Sequence, residues 1–578
     1  MSGHEAPVLV VGAGPVGMVA ALLLARHGVP SVVVEASAER DPTGSKSICV
    51  QRDVLDIYDR VGVADELVAE GVYWQVARTY YAEQELFATT FPAAGQSAYP
   101  PWINLGQQRI EELLAARVAG EPLVDLRFGH HVVALRQDAE GVTVRCTTPT
   151  GPVDLTGTHL VAADGAASTV RNMLWLDFPG QSFGDRFLIA DIRAELPFPA
   201  ERRFHFDPPW NPGRQVLLHP QPDSVWRIDW QVPEDYDLAA DTASGRLDER
   251  IRRIVGGAPY EVQWLSVYRF HQRLASRMLV GRVLLAGDAA HLMSPFGARG
   301  LNSGVQDAEN AAWKIAFDRR GDGGPALLPS YEHERLAAAR ENLRVTGDTM
   351  RFLVPQDEAE ARRRREILQS ALRDPAARRL VNSGKLAEPY WYVDSPLTSG
   401  PPPADFPVAP GVPRPPVAGV LCPDGPLTGA GEPSRVRRLF GSGFVLLRGA
   451  AAAGAPDTTP NTTPDTGPGT RPDTGPDTGP GTRPDTGPDT RPDRAPGAAP
   501  GAGPDLPVHT VTGPVAEALD ARPDRVFLIR PDGYLAAVLD APTPTDLRAA
   551  LHRASGRTDD SEGDHRGPDR VPRHTAAA

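Results

Sequence analysis

Four consecutive apolar residues, Val8–Val11, precede a glycine-rich turn and an alanine-rich apolar stretch from Val16 to His27 that stops at Gly28. A second apolar run, Ser31–Val34, ends at Glu35. Short all-apolar runs on either side of a helix predict strands buried on both faces, the βαβ unit of a parallel sheet. Alternating elements continue to about residue 185, with extended stretches at Val142–Cys146 and His159–Ala163.

From 186 to 275 the pattern becomes strand-like between Pro-rich turns, as at Gln215–His219 and Val225–Val232. Trp210, Trp226, Trp230, Trp264 and Tyr268 concentrate there, which predicts a sheet that walls a pocket for a flat, apolar ligand. In VWRIDWQ the two-residue period puts Trp226, Ile228 and Trp230 on one face and Arg227 and Asp229 on the other. The period alone leaves open which face is core and which lines a pocket.

Residues 276–395 return to strand, turn and helix, with a helical region over about 325–385. Residues 396–435 read as a Pro/Gly-rich linker. The segments 436–450 and 505–553 form a small α/β module whose last two strands, in RVFLIRPDGYLAAVL, are joined by a Pro-Asp-Gly turn. Between them, 451–504 carries proline at every fourth position from Pro456 to Pro504 and no large apolar side chain. Such a segment cannot bury enough surface to offset its ordering entropy, so it is predicted disordered, as is the polar tail 554–578.

Composition narrows the function. The 578 residues carry a formal charge of −13, which excludes a bulk basic footprint for nucleic acid. Cys49, Cys146 and Cys422 are far apart and write no disulfide framework or zinc spacing. No apolar run approaches a membrane span, and no export signal opens the chain, so a cytoplasmic protein without integral membrane association is expected. The 14 histidines form no HExxH or HxH pattern, so no metal site is expected.

Three glycine or aspartate motifs carry the chemistry. Gly12, Gly14 and Gly17 form GxGxxG between strand and helix: the first for a tight turn, the second for close approach of a pyrophosphate, the third for helix–strand packing. Glu35, at the end of the next strand, stands where an acid binds ribose hydroxyls. LVAADGAASTVR places Asp164-Gly165 after another strand. GRVLLAGDAAHLMSPFGARGLNSG places Gly287-Asp288 at a strand end, ahead of a loop with three glycines and a helix. Exposed N–H groups there suit an oxyanion or an electron-rich ring edge. Asp288 reads either as a sugar ligand or as a turn cap. Cys49, His291, His205, His219 and Tyr268 are open candidates, and no catalytic residue is assigned.

In this order and spacing the motifs resemble the FAD-dependent aromatic hydroxylases, single-component flavoprotein monooxygenases typified by para-hydroxybenzoate hydroxylase. The segments FDPPWNPGRQVLLHPQPDSVWRIDWQ and RRLVNSGKL are most similar to the 3-(3-hydroxyphenyl)propionate hydroxylase branch. The resemblance implies a Rossmann-type FAD-binding domain (1–185 and 276–395), an inserted β-sheet substrate domain (186–275), helices, and a thioredoxin-like C-terminal module. It implies FAD as cofactor and NADH or NADPH as co-substrate. Oxygen from O2 would be inserted into a phenolic substrate through a flavin C4a-hydroperoxide.

By matching position, Gly12, Gly14, Gly17 and Arg52 would hold the pyrophosphate, Glu35 the adenosine ribose, and Gln107 and Asp288 the flavin sugar chain. Asp164 would serve FAD and NAD(P)H. Gly297, Gly300, Leu301 and Asn302 would lie along the isoalloxazine, with Pro295 at its oxygen-reacting face. Two departures stand out: Glu35-Ala36 replaces the family's Glu-Arg, and the C-terminal module has no CxxC. A polyketide-tailoring hydroxylase, a non-oxygenating NAD(P)H flavin oxidoreductase and a flavin-binding interaction protein are the alternatives. A homodimer is left open.

Overall fold

The computed structural model describes residues 6–40, 47–91, 97–386, 388–401, 415–427, 435–450 and 505–557. The predicted Pro-period insert lies outside them, as does the tail beyond residue 557. The first sheet has the order Leu279–Val280, Val283–Leu285, Leu160–Ala162, Val8–Val11, Ser31–Val34, Val124–Arg127. All but its first strand run parallel. The helix Pro15–Arg26 packs beneath it. Pro15 occupies the first helical position, where its missing N–H costs nothing. At the other end Gly28 (φ +73°) closes a Schellman turn, with Gly28 N–H donating to the Ala25 carbonyl and Val29 N–H to that of Leu24.

A second, eight-stranded sheet runs Glu261–Leu274, Gly180–Arg193, Val225–Val232, Gln215–Pro220, Arg202–Phe206, Val76–Tyr81, Gln84–Thr90, with His291–Leu292 on the opposite edge. Its extent differs from the predicted 186–275. It begins at Gly180 and recruits Val76–Tyr81 from upstream, through the parallel pairing with Arg202–Phe206. Two helices, Leu238–Ala243 and Arg246–Val255, also interrupt the span. Leu247, Ile251 and Val255 of the second pack on Trp226, Ile228 and Trp230. The tryptophan face is therefore core, and the face bearing Arg227 and Asp229 turns inward between the two sheets.

The helices Gly300–Arg320 and Leu327–Leu353 join the sheets to the C-terminal unit. There Val508–Val511, Val445–Gly449, Arg525–Ile529 and Leu535–Asp540 form a four-stranded sheet. Pro544–Ala554 packs on it together with Trp313 and Phe317. The described part of the predicted linker is not loose. Gly419 N–H donates to the Leu535 carbonyl, Leu535 N–H to that of Val420, and Leu397 and Cys422 are buried. The start of the predicted tail is likewise held: Gly324 and Ala326 N–H groups donate to the Ser555 and Gly556 carbonyls.

Candidate active site

Two helix N-termini face one cavity. Gly14 opens the helix Pro15–Arg26, and Gly300 opens the 21-residue helix Gly300–Arg320. First-turn N–H groups lack intrahelical partners and carry the positive end of the helix dipole. A Cβ built on Gly14 or Gly300 would meet nothing within 4 Å among the described residues, so both positions leave open space in front of those N–H groups. The cavity has a volume of about 1880 Å³, beyond the roughly 300–1,000 Å³ of a pocket for one drug-sized ligand. It has room for a dinucleotide and a second molecule.

Eight of the predicted residues line it: Gly14, Arg52, Gln107, Asp288, Pro295, Gly297, Gly300 and Leu301. Arg52 donates from Nε to the Tyr99 carbonyl, while its Nη2 is buried without a partner among the described residues. Burial lowers the Arg52 pKa. An anion beside it would restore a partner to that nitrogen. The donor set (helix N–H groups, an unfilled guanidinium nitrogen, glycine-made space) fits a pyrophosphate.

The other five stand behind the wall. Gly12 (φ +101°) and Gly17 are backbone contacts, their added Cβ atoms falling 2.4 Å from the Ala163 carbonyl oxygen and 2.0 Å from that of Gly12. Glu35 accepts from the N–H groups of Ala13 (2.9 Å) and Ser37 (3.0 Å), clamping the turn to the second strand. Asp164 accepts from Ser168 Oγ (2.6 Å), Thr169 Oγ1 (3.2 Å) and Val170 N–H (3.1 Å). It thus ties its turn to the first residues of the helix Thr169–Met173, whose N-cap is Ser168, while Ala163 and Gly165 line the cavity. Asn302 spends its amide on the Cys49 carbonyl (2.9 Å) and Gln51 N–H (2.9 Å), tying 49–51 to the glycine loop.

Of the open candidates, Cys49, His219 and Tyr268 line the cavity. His205 instead stacks on Tyr80 at 4.5 Å. His291 is fully buried and pairs with Asp307 at 2.7 Å. Burial pushes the Cys49 and Cys422 thiols up to about 12 and raises that of Cys146. Thiolate is the reactive form, so Ellman's reagent at pH 8 should leave all three silent in native enzyme and titrate three after denaturation.

Sequence reasoning left unassigned the charged sheet wall, with Arg202 and Asp229, and the aromatics Trp74, Phe91 and Trp102. The alternation in VWRIDWQ was the available signal. Among the described residues no group of three His, Cys, Asp or Glu gathers to hold a metal, and no helix is long and apolar enough to cross a membrane.

A family model described as "FAD binding domain" matches residues 5–346. The chain belongs to this family. Within it, the chain is an FAD-dependent aromatic monooxygenase. It is 34% identical over 397 residues to a 12-dehydrotetracycline 5-monooxygenase/anhydrotetracycline 6-monooxygenase of Streptomyces rimosus, covering 65% of this chain and 75% of the relative. It is 28% identical over 385 residues to a 3-(3-hydroxy-phenyl)propionate/3-hydroxycinnamic acid hydroxylase of Mycolicibacterium smegmatis, covering 65% of this chain and 66% of that relative, just under two thirds. The fold matches the flavin-dependent monooxygenase PieE, solved with FAD and substrate, at a TM-score of 0.73 and 23% identity, covering 95% of this chain and 99% of PieE.

In this FAD-dependent monooxygenase the Gly287-Asp288 turn is held from behind. Gly287 N–H donates to Asp307 Oδ2 (3.0 Å), which also bonds His291, while Arg335 Nε binds Oδ1 at 2.6 Å. Burial opposes the Asp307 charge, yet Arg335 and His291 hold its carboxyl below the ordinary value. Asp307→Asn would leave a fully buried Arg335 short of its counter-charge, a loss of about 3–5 kcal/mol for a broken buried pair. The turn should loosen with it. Thermal melts should show the lower stability, and flavin fluorescence titration should show FAD held at least tenfold more weakly.

Proposed function

We propose that this monooxygenase hydroxylates a phenolic ring, with NADH or NADPH as reductant and O2 as oxidant. The observation that carries the proposal is one cavity running from two helix N-termini to a wall of Trp74, Phe91, Trp102, Trp264 and Tyr268. The aromatic end suits a flat ring and excludes water.

When bound, FAD supplies the oxygen-activating chemistry that no side chain can. Gly12, Gly14, Gly17 and Arg52 would hold its pyrophosphate, Glu35 its adenosine ribose, and Gln107 and Asp288 its sugar chain. Gly297 to Asn302 would lie along the ring system and Pro295 at its edge, with the Gly300–Arg320 helix N-terminus stabilising negative charge there. Asp164 would act by shaping its turn. The parts 1–185 with 276–395, 186–275, and 436–450 with 505–553 would serve as cofactor, substrate and C-terminal domains. Strand order and the parallel–antiparallel pattern support a thioredoxin-like reading of the last. The phenylpropionate relative favours a single-ring acid, while the cavity volume and the tetracycline relative favour a multi-ring polyketide.

Holoenzyme supplied with NADH and NADPH should show oxygen uptake stimulated by 3-(3-hydroxyphenyl)propionate or by anhydrotetracycline. The product should gain the mass of one oxygen. Stimulated uptake without that mass gain would point to a non-oxygenating oxidoreductase.

A further inference from the structure

Three neighbouring strands bring Arg202, His219 and Asp229 to the same face of the eight-stranded sheet, and all three line the cavity. We propose that Asp229 takes the proton from the ring hydroxyl of the substrate, and that Arg202 holds the oxyanion so formed. This inference rests on the phenolic reading above.

The neighbouring groups single out Asp229. Its Oδ1 is inaccessible to solvent and has no hydrogen-bond partner among the described residues. On its own strand Arg227 is engaged by Asp191 of the adjacent strand, at 2.8 and 2.7 Å. Burial drives the His219 pKa well below its usual value, with Arg202 and Arg227 adding to the effect, so His219 stays neutral. Across the cavity the Cys49 thiol stays protonated, and burial raises the Tyr268 hydroxyl above its ordinary value. Arg202 bonds the Ser383 carbonyl (2.6 Å) and forms no ion pair within 4 Å among the described residues. It is a cation with unspent charge. Burial pushes the Asp229 carboxyl up to about 7, against the pull of Arg227 and Arg202 and with Asp191 adding to the rise. A base with that value is matched to neutral pH. In the step itself the phenol O–H bond breaks, an Asp229 O–H bond forms, and no electrons change hands. The ring gains the phenolate character that favours attack on electrophilic oxygen.

The test is steady-state oxygen uptake by holoenzyme from pH 6 to 9.5. The two probes are 3-(3-hydroxyphenyl)propionate, whose phenol ionises near about 10 like tyrosine, and 4-nitrophenol, which ionises close to neutral pH and is an anion at the alkaline end of the range. Wild-type kcat/KM for the first probe should rise through about pH 7 and level off. Asp229→Asn should lower it at pH 7 by about 100-fold or more, the scale of a lost general base. Activity should return as pH approaches the phenol's own range. Above the ionisation of 4-nitrophenol the same variant should stay within about fivefold of wild type on that probe, because no proton need be removed there. Arg202→Met should raise KM for 4-nitrophenol and move the pH midpoint for the first probe upward, because the Arg202 charge helps hold the Asp229 carboxyl down.

An unchanged pH profile in Asp229→Asn, an equal loss on both probes, or loss of bound flavin would overturn the assignment of Asp229. Failure of both probes and of anhydrotetracycline to stimulate wild-type uptake would instead remove the phenolic reading, and the inference with it.

Discussion

Gly12→Ala is expected to yield a colourless and destabilised protein, whereas Gly14→Ala should fold normally and lose only its affinity for FAD. The two glycines are two residues apart but face different constraints. Gly12 sits at φ +101°, outside even the left-handed helical region open to other residues, and such backbone strain costs about 1–3 kcal/mol. A methyl group there would lie 2.4 Å from the Ala163 carbonyl oxygen. Neither side can retreat. Gly12 N–H donates to the Val34 carbonyl (2.8 Å) and Ala163 N–H to that of Val11 (2.8 Å), so the turn is pinned between two parallel strands. Relief requires separating strands of the central sheet. At Gly14 the added methyl meets no atom of the described residues within 4 Å; it occupies space that a ligand would need. Circular dichroism melts and flavin absorbance of the two purified variants separate the outcomes. A yellow Gly14→Ala enzyme of wild-type affinity would remove the pyrophosphate from that turn.

Local pattern explains why this part of the molecule was legible. Val8–Val11 and Ser31–Val34 are strands at the expected bounds, and the helix between them starts one residue early, at Pro15. Apolar runs, a helix-starting proline and a helix-stopping glycine act within a few residues of themselves. The aspartate–glycine turns at Asp164 and Gly287 follow the same logic. Non-local pairings were not legible. Nothing near Val76–Tyr81 says that it will pair with Arg202–Phe206, more than a hundred residues on.

The cavity wall was half legible. Alternation separated Trp226, Ile228 and Trp230 from Arg227 and Asp229, but only the packing of Arg246–Val255 decides which set is core. Charge could not break the tie, since a charged face meets solvent more often than a cavity. Here Arg227 is 3% exposed and paired with Asp191. Composition misled in the linker. Proline and glycine suggest a loose segment, yet backbone bonds to Leu535 need no particular side chain, and so Gly419 and Val420 can make them.

The Pro-Asp-Gly turn gives the sharpest case and the second large prediction. It was expected as an ordinary hairpin turn, and Gly533 does adopt φ +84°. Its charged residues nevertheless point into the protein: Arg530 is 0% exposed and Asp532 3%. Arg530 donates to Glu334 (2.6 and 2.9 Å) and to Asp532 (3.0 and 2.6 Å). Glu334 also accepts from Lys314 Nζ (2.7 Å), and Trp313 Nε1 donates to Asp532 (3.1 Å). Two cations and two anions, all buried, join the C-terminal sheet to the helices Gly300–Arg320 and Leu327–Leu353. Glu334→Gln keeps the shape of the side chain but leaves Lys314 and Arg530 with one carboxylate between them. Breaking a buried pair from one side costs about 3–5 kcal/mol, because the remaining charge stays buried and uncompensated. The expected result is a large fall in the first thermal transition and early proteolytic release of the C-terminal unit. The double variant Glu334→Gln/Lys314→Met removes the surplus cation along with the anion. It should recover a substantial part of the loss, since apolar replacements of buried ion pairs are often close to neutral. Equal stability of the single and double variants would show that the network stabilises through packing and hydrogen bonds rather than through charge balance.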